Sequence, residues 1–305
     1  MGGSLLNWVA RKGGADRGTG AAVRLSPREP GGCMGDELTV HRDAGCARVV
    51  LNRPEVHNAL SVTVLAELER VVAELDADDG VGVIVISGAG GRAFSSGFDL
   101  RDAGGGAARR GPRAYPDVPR PGRLPGFDAV ARCAAPVVAA IDGYCLGGGL
   151  ELAMLCDVRV ATRSSTFGLP EPRRGLMGGA GLAHVSRAVP LGEALWLHLT
   201  GARMTAERAH QIGLVQALAD DADGLDAQVD EVVAQILQGS PLAVRFIKRV
   251  VREGRELSVE QQWRFAEMFQ FVMGGSEDAA EGPRAFAERR DPAWTRGQER
   301  PRPPG

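Results

Sequence analysis

Two glutamates and two glycine-bearing turns are the residues of this chain whose types and spacing suit chemistry. Within AAIDGYCLGGGLELAMLCDVRVATRSSTFGLPE, residues 139–171, the glycines Gly147, Gly148 and Gly149 separate a strand-like apolar run from a helix-like one. Where a Cβ is missing the backbone can pass close to a ligand, and the first amides of a helix lack partners and carry the positive end of its dipole. Such amides suit an oxygen that gains negative charge. Glu151 follows about one helical turn after Gly148, roughly on its face. Glu171 is a second carboxylate further along. Upstream, the turn AFSSGFDLRD at 93–102 carries Gly97, whose backbone freedom can aim the next amide, that of Phe98, into a site.

The elements that must position these groups read as an α/β core. CARVVLN, from Cys46, is a strand closed by Arg53 and Pro54. Leu60, Val64, Leu68, Val71 and Leu75 recur at spacings of three and four, one apolar stripe on a helix that ends near the DADDG turn. VGVIVISG at 81–88 is continuous and β-branched, as suits a strand covered on both faces. Strand, helix and strand in this order predict a right-handed crossover. APVVAAIDG at 135–143 is a further buried strand, LELAMLC a helix, DVRVAT a strand and TFGLPE a short extended piece. From Glu193 onward only helical patterns are apparent. The expected organisation is an extension over 1–35, a core with a mixed sheet over 36–192, a helical region over 193–295 and a frayed tail over 296–305.

The 305 residues can bury a substantial core. A formal net charge of -2 gives no global reason to expect nucleic acid or an anionic membrane, and no apolar run approaches the ~20 residues of a membrane span. Residues 1–35 are rich in Gly, Arg and Pro, with Arg11, Lys12, Arg17, Arg24 and Arg28 against Asp16 and Glu29, so disorder is expected there. Patterned sequence starts directly after Met34, which makes that methionine a candidate start. The opening MGGSLLNWVARKGG lacks the apolar core of an export signal. Cys33, Cys46, Cys133, Cys145 and Cys156 are scattered and form no CxxC, which fits a reducing cytoplasm. Residues 103–125 read as a long loop; six arginines in the surrounding stretch make it either a solvated segment or a lid for a phosphate-bearing ligand.

Several chemistries are absent from the motifs. There is no GxxxxGK[ST], no GxGxxG in a dinucleotide context and no GxSxG. His41, His57, His184, His198 and His210 are far apart without metal-ligand spacing, so structural or surface roles are expected and no metal.

Three pieces remain: SSGFDL at 95–100, DGYCLGGGLELA at 142–153 and FGLPE at 167–171. In this combination the chain resembles the crotonase superfamily, the enoyl-CoA hydratases and isomerases, from about Leu38 to Trp294. LNRPEVHNALS at 51–61, GARMTAERAHQIGLV at 201–215 and SPLAVRFIK at 240–248 add to the match. The tail SEDAAEGPRAFAERRDPAW at 276–294 is similar to the end of the crotonobetainyl-CoA (carnitinyl-CoA) hydratase branch.

The resemblance implies a crotonase-like spiral of ββα turns, with a C-terminal helical region that packs trimers, usually stacked as a dimer of trimers. It implies an acyl-CoA substrate in lipid metabolism, with coenzyme A as part of the substrate and no separate cofactor. The thioester carbonyl would accept hydrogen bonds from the Phe98 and Gly148 amides; one such donor typically contributes about 3 to 4 kcal/mol to transition-state stabilisation. Phe98 stands where a small residue is commoner, so its ring is expected to reshape the acyl or pantetheine channel. Glu151 would activate a water toward the β-carbon and Glu171 deliver a proton to the α-carbon. Helix capping, or pairing with Arg173 or Arg174, is the structural alternative for these glutamates. Gly179 occupies the place where dienoyl-CoA isomerase relatives carry a further acid, and is expected in the turn that shapes the pocket near the thioester. Phe98, Asp99, Leu100 and Arg101 would line the edge where coenzyme A passes, with Arg53 and Lys248 available for phosphate oxygens. Hydration of a 2-enoyl-CoA is the expected reaction. A crotonobetainyl-CoA hydratase, a double-bond isomerase, a thioester hydrolase or a non-catalytic acyl-CoA-binding protein are the alternatives.

Overall fold

A computed structural model describes residues 37–99, 101 and 124–295. The expected extension over 1–35, nearly all of the 103–125 loop with its arginines, and the tail over 296–305 lie outside the described residues.

Strands β1 (Leu38–Asp43) and β2 (Cys46–Leu51) form an antiparallel hairpin. Three pairs of strands then repeat one motif: β3 (Val83–Gly88) with β4 (Ala93–Ser95), β5 (Val137–Ile141) with β6 (Tyr144–Leu146), and β7 (Val158–Thr162) with β8 (Thr166–Gly168). The first member of each pair joins a large sheet and the second a small one. With β9 (Arg203–Thr205) and β10 (Ala217–Ala219), the large sheet has the order β1-β2-β3-β5-β7-β10 and the small one β4-β6-β8-β9. Apart from the β1–β2 and β8–β9 pairs, neighbours run parallel, as crossover helices require. The helices are α1 (Val62–Ala77), α2 (Pro125–Arg132), α3 (Gly148–Leu155), α4 (Ala180–Ala188), α5 (Leu191–Thr200), α6 (Ala206–Gln211), α7 (Ala222–Leu237), α8 (Pro241–Gly254), α9 (Val259–Gly274) and α10 (Glu277–Glu288). This is a spiral of ββα turns with a helical C-terminal region.

The continuous apolar run in β3 is explained by burial on both faces. Val83 and Val85 pack with Leu225, Val229 and Val233 of α7, whereas Ile84 and Ile86 belong to the main core with α1. Each such side chain contributes roughly 1.5 to 3 kcal/mol when fully buried. Helix α1 begins where Ser61 Oγ accepts from the Val64 N–H at 3.0 Å, and buries Val64, Leu65, Leu68, Val71, Val72 and Leu75.

Three features differ from the sequence expectation. The alternating run LTVHRD forms β1 and completes the hairpin. PGFDAVAR forms α2, so Pro125 begins a helix at its first position instead of ending a loop. The region from Glu193 is not helical throughout, because β9 and β10 extend both sheets beyond that point. Each spans three residues and is set by its neighbour, β9 by β8 and β10 by β7, without a period of its own.

Candidate active site

The turn after β4 and the start of α3 meet at their glycines. Gly97 has φ +103°, and a Cβ there would lie 3.1 Å from the Leu146 carbonyl oxygen and 3.2 Å from the Gly148 nitrogen. Gly147, at φ +53°, caps α3; its N–H donates to the Gly168 carbonyl at 2.9 Å and its carbonyl accepts from the Glu151 N–H at 3.0 Å. Gly148 is the first residue of α3, so its N–H has no intrahelical acceptor. At the other turn, Leu60 donates to the Gly97 carbonyl at 2.8 Å and accepts from the Asp99 N–H at 3.0 Å. This parallel bridge turns the intervening Phe98 N–H away from Leu60. Close approach of the two turns thus brings together the two amides that the sequence places fifty residues apart.

The Phe98 ring covers this junction: a Cβ on Gly148 would fall 2.7 Å from Phe98 Cε2, and the ring lies against Phe127 of α2 with centroids 5.5 Å apart. Its neighbours on the turn are held from below. The Arg53 guanidinium donates to the Ala59 carbonyl at 2.8 Å, and pairs with Glu37 at 3.0 Å and with Asp99 at 3.2 Å. The Arg101 N–H and then Arg53 hold the Asp99 carboxyl below its usual range. Asn58 donates to the carbonyls of Ala89 and Ala93 and accepts from the Arg53 N–H. LNRPEVHNALS therefore braces the turn; the bracing role of Asn58 left no mark in the sequence pattern beyond the resemblance.

These partners bear on the phosphate contacts that the resemblance implies. Arg53 pairs with Asp99 and Glu37, and Asp99 with Arg53 and Arg101. Lys248 is buried against Asp157, at 2.7 Å, and the Ala135 carbonyl, also at 2.7 Å. Arg101 keeps an exposed side chain, 3.5 Å from Asp99. Leu100 lies outside the described residues.

Glu171 lies against the glycine junction, and Glu151, on the first turn of α3, lies within electrostatic reach of Glu171. Glu151 is fully buried in α3, and its Oε1 accepts from the backbone N–H of Gly179 at 2.7 Å and of Gly181 at 2.9 Å. Gly179 thus serves the carboxylate directly, a more specific role than shaping a pocket near a thioester. Glu171 opens a short 3-10 turn, Glu171–Arg174, and a Cβ on Gly147 would lie 3.1 Å from its Oε1. Burial, assisted by the Glu151 charge, raises the Glu171 carboxyl above its ordinary value, while its own backbone N–H and Arg174 oppose the shift. The Oε2 atoms of both glutamates are buried and accept no hydrogen bond among the described residues. Two such oxygens beside unsatisfied amides can hold a water and exchange its protons. His198 of α5 also borders the site; burial lowers its imidazole, against the opposing effects of the Gly181 backbone and the Glu151 charge. Cys145, close in sequence, is buried and its thiol is pushed well up by desolvation, as befits a packing residue. Among the described residues no cluster of metal-ligating side chains occurs.

The model of the enoyl-CoA hydratase/isomerase family matches residues 41–298. The chain belongs to that family. Among its relatives, the carnitinyl-CoA dehydratase of Escherichia coli K12 is 33% identical over 268 residues, covering 86% of this chain and 99% of the relative. The enzyme of the same name from Salmonella arizonae is 34% identical over 267 residues, with the same coverage. Among solved structures, the enoyl-CoA hydratase from Mycobacterium tuberculosis H37Rv superposes with a TM-score of 0.77 at 37% identity, over 86% of this chain and all of the other. An enoyl-CoA hydratase/carnithine racemase from Magnetospirillum magneticum gives 0.76 at 33% identity, over 87% and 97%. Family membership accounts for the spiral, and the matched length covers nearly all of the described residues.

Proposed function

We propose that this member of the family is a hydro-lyase that adds water reversibly across the 2,3 double bond of a 2-enoyl-CoA. The observation that carries this reading is the pair of buried, unsatisfied Oε2 atoms on Glu151 and Glu171, beside the junction of the Phe98 and Gly148 amides. The amides receive the thioester oxygen and stabilise the enolate more than the ground state. With Oε1 fixed by two N–H donors, Glu151 turns Oε2 to a water and takes its proton as the oxygen attacks the β-carbon. Glu171, whose raised carboxyl favours the protonated form, gives a proton to the α-carbon. In the reverse direction the two exchange roles. Coenzyme A enters with the substrate and no other group is required. A binding protein needs the amides but not two acids, and Gly179 supplies no third acid for long-range double-bond migration.

Self-association belongs to the same reading. Helix α9 has no buried residue, and Val259, Trp263, Met268 and Phe271 on it are strongly exposed. Apolar surface of this kind on a C-terminal helix supports packing against further copies as a trimer or a dimer of trimers. No helix of the described residues is long and apolar enough to cross a membrane; a cytoplasmic setting remains part of the proposal.

Incubation with crotonyl-CoA and with crotonobetainyl-CoA, following loss of the enoyl absorbance, tests the reaction. Hydration of at least one is expected; failure with both, by protein that still binds acyl-CoA, would overturn it.

A further inference from the structure

The small sheet has an outer face that the reaction does not use. Cys145, Phe167 and Met204 stand in register across β6, β8 and β9 and are buried, so the next row, Leu146, Gly168 and Arg203, points the opposite way. Gly168 leaves the middle of this row without a side chain. The Glu171–Arg174 turn lies beside it, and a cavity of about 260 Å³ results, with a floor of Leu146, Gly168 and Pro170. Its charged lining is Arg173, Arg174 and Arg203.

These three cations converge on the cavity, with the more distant Glu171 charge acting on Arg174. None has a carboxylate within ion-pair distance among the described residues, whereas Arg163, Arg187 and Arg208 each pair with one. The Arg203 guanidinium is steadied over the Tyr144 ring, 5.0 Å from its centroid, and Arg173 is anchored through Nε to the Thr200 carbonyl at 2.8 Å. Anchored in this way, Arg173 keeps its terminal nitrogens for another acceptor. Guanidinium forks held on an apolar floor match the oxygens of a phosphate group and lose little freedom on binding it.

The geometry points to a second ligand site, on the outer face of the small sheet, that takes a compact phosphate-class polyanion between Arg203 and the Arg173–Arg174 turn. The ligand bridges the sheet to the turn that presents Glu171, so it steadies that turn from behind. This site does not depend on the hydratase reading, because its occupancy is read without turnover.

Calorimetric titration of the full chain with inorganic pyrophosphate tests it. Saturable binding is expected, weakened by added salt, and Arg203→Gln and Arg174→Gln should each weaken it by roughly ten- to a hundredfold, the loss of one charge-assisted contact. Arg203→Lys should retain part of the affinity, which separates lost charge from misfolding. A parallel titration with adenosine 3',5'-bisphosphate identifies the source: Arg203-dependent binding of it assigns the site to a nucleotide phosphate, and Arg203-dependent binding of pyrophosphate alone assigns it to the free anion. The proposal is overturned by absence of saturable binding at millimolar pyrophosphate, or by equal binding to wild type and Arg203→Gln. It is also overturned if sedimentation shows that both glutamine variants alter self-association, since the arginines would then contact another copy.

Discussion

The backbone N–H of Gly179 donates to Glu151 Oε1 at 2.7 Å, joining the start of α4 to the first turn of α3. With the Gly181 N–H on the same oxygen, it fixes which edge of the carboxylate is spent on structure and which remains for a water. The orientation of the proposed base is thus set by backbone, which a side-chain substitution at Gly179 cannot delete.

Glu151→Gln and Glu171→Gln should each lower kcat on a hydrated enoyl-CoA by about 10² to 10⁴, with acyl-CoA affinity changed little. Turnover by absorbance and binding by calorimetry check the two halves separately. Retained turnover in both variants would refute the assigned roles.

The Glu171 carboxyl is held above its ordinary value of 4.5, so protonation favours the folded state. The stability it contributes is complete below that ordinary value and is lost as pH rises through the folded one. Glu171→Gln should therefore melt higher than wild type at neutral pH, with the difference disappearing in acid. Wild-type kcat in the hydration direction should decline through the same raised value on the alkaline side. Melting curves and pH–rate profiles record both, and a wild type more stable than the variant at neutral pH would contradict the shift.

Arg53→Ala removes one of the two cations beside Asp99 and the donor to the Ala59 carbonyl, leaving Arg101. Loss of these contacts should lower the denaturant midpoint. A phosphate-binding arginine would instead raise KM for acyl-CoA without loss of stability. Stability loss as the larger effect is the expected result.

Gly97→Ala places a methyl group between Leu146 and the Gly148 amide at a φ of +103°. The two turns must separate, and kcat should fall by about 10² to 10³, the effect of one displaced oxyanion donor. Steady-state kinetics with protein of unchanged helical content distinguishes this from unfolding.

Much of the site could be read before the fold because its parts are local. Glycine at 97 and at 147–149 marks backbone that side chains would obstruct, and a glutamate in the first turn of a helix is a matter of spacing. The continuous run of β3 announced burial on both faces, and Val83 and Ile84 do pack into opposite cores. Strands β9 and β10 were illegible because three residues carry no usable period and form only where a neighbouring edge is offered.

By itself the sequence determined which residues are available: two acids, two glycine turns and a family resemblance that joins them. Tertiary structure decided what each one faces. It set the Phe98 turn against the start of α3, turned Arg53 and Lys248 inward to Asp99 and Asp157, and gave Gly179 to Glu151. Those pairings join residues 28 to 91 positions apart, from Glu151 with Gly179 to Asp157 with Lys248. No local pattern encodes such partners, because a charge or an amide meets whatever the packing of the spiral brings within reach.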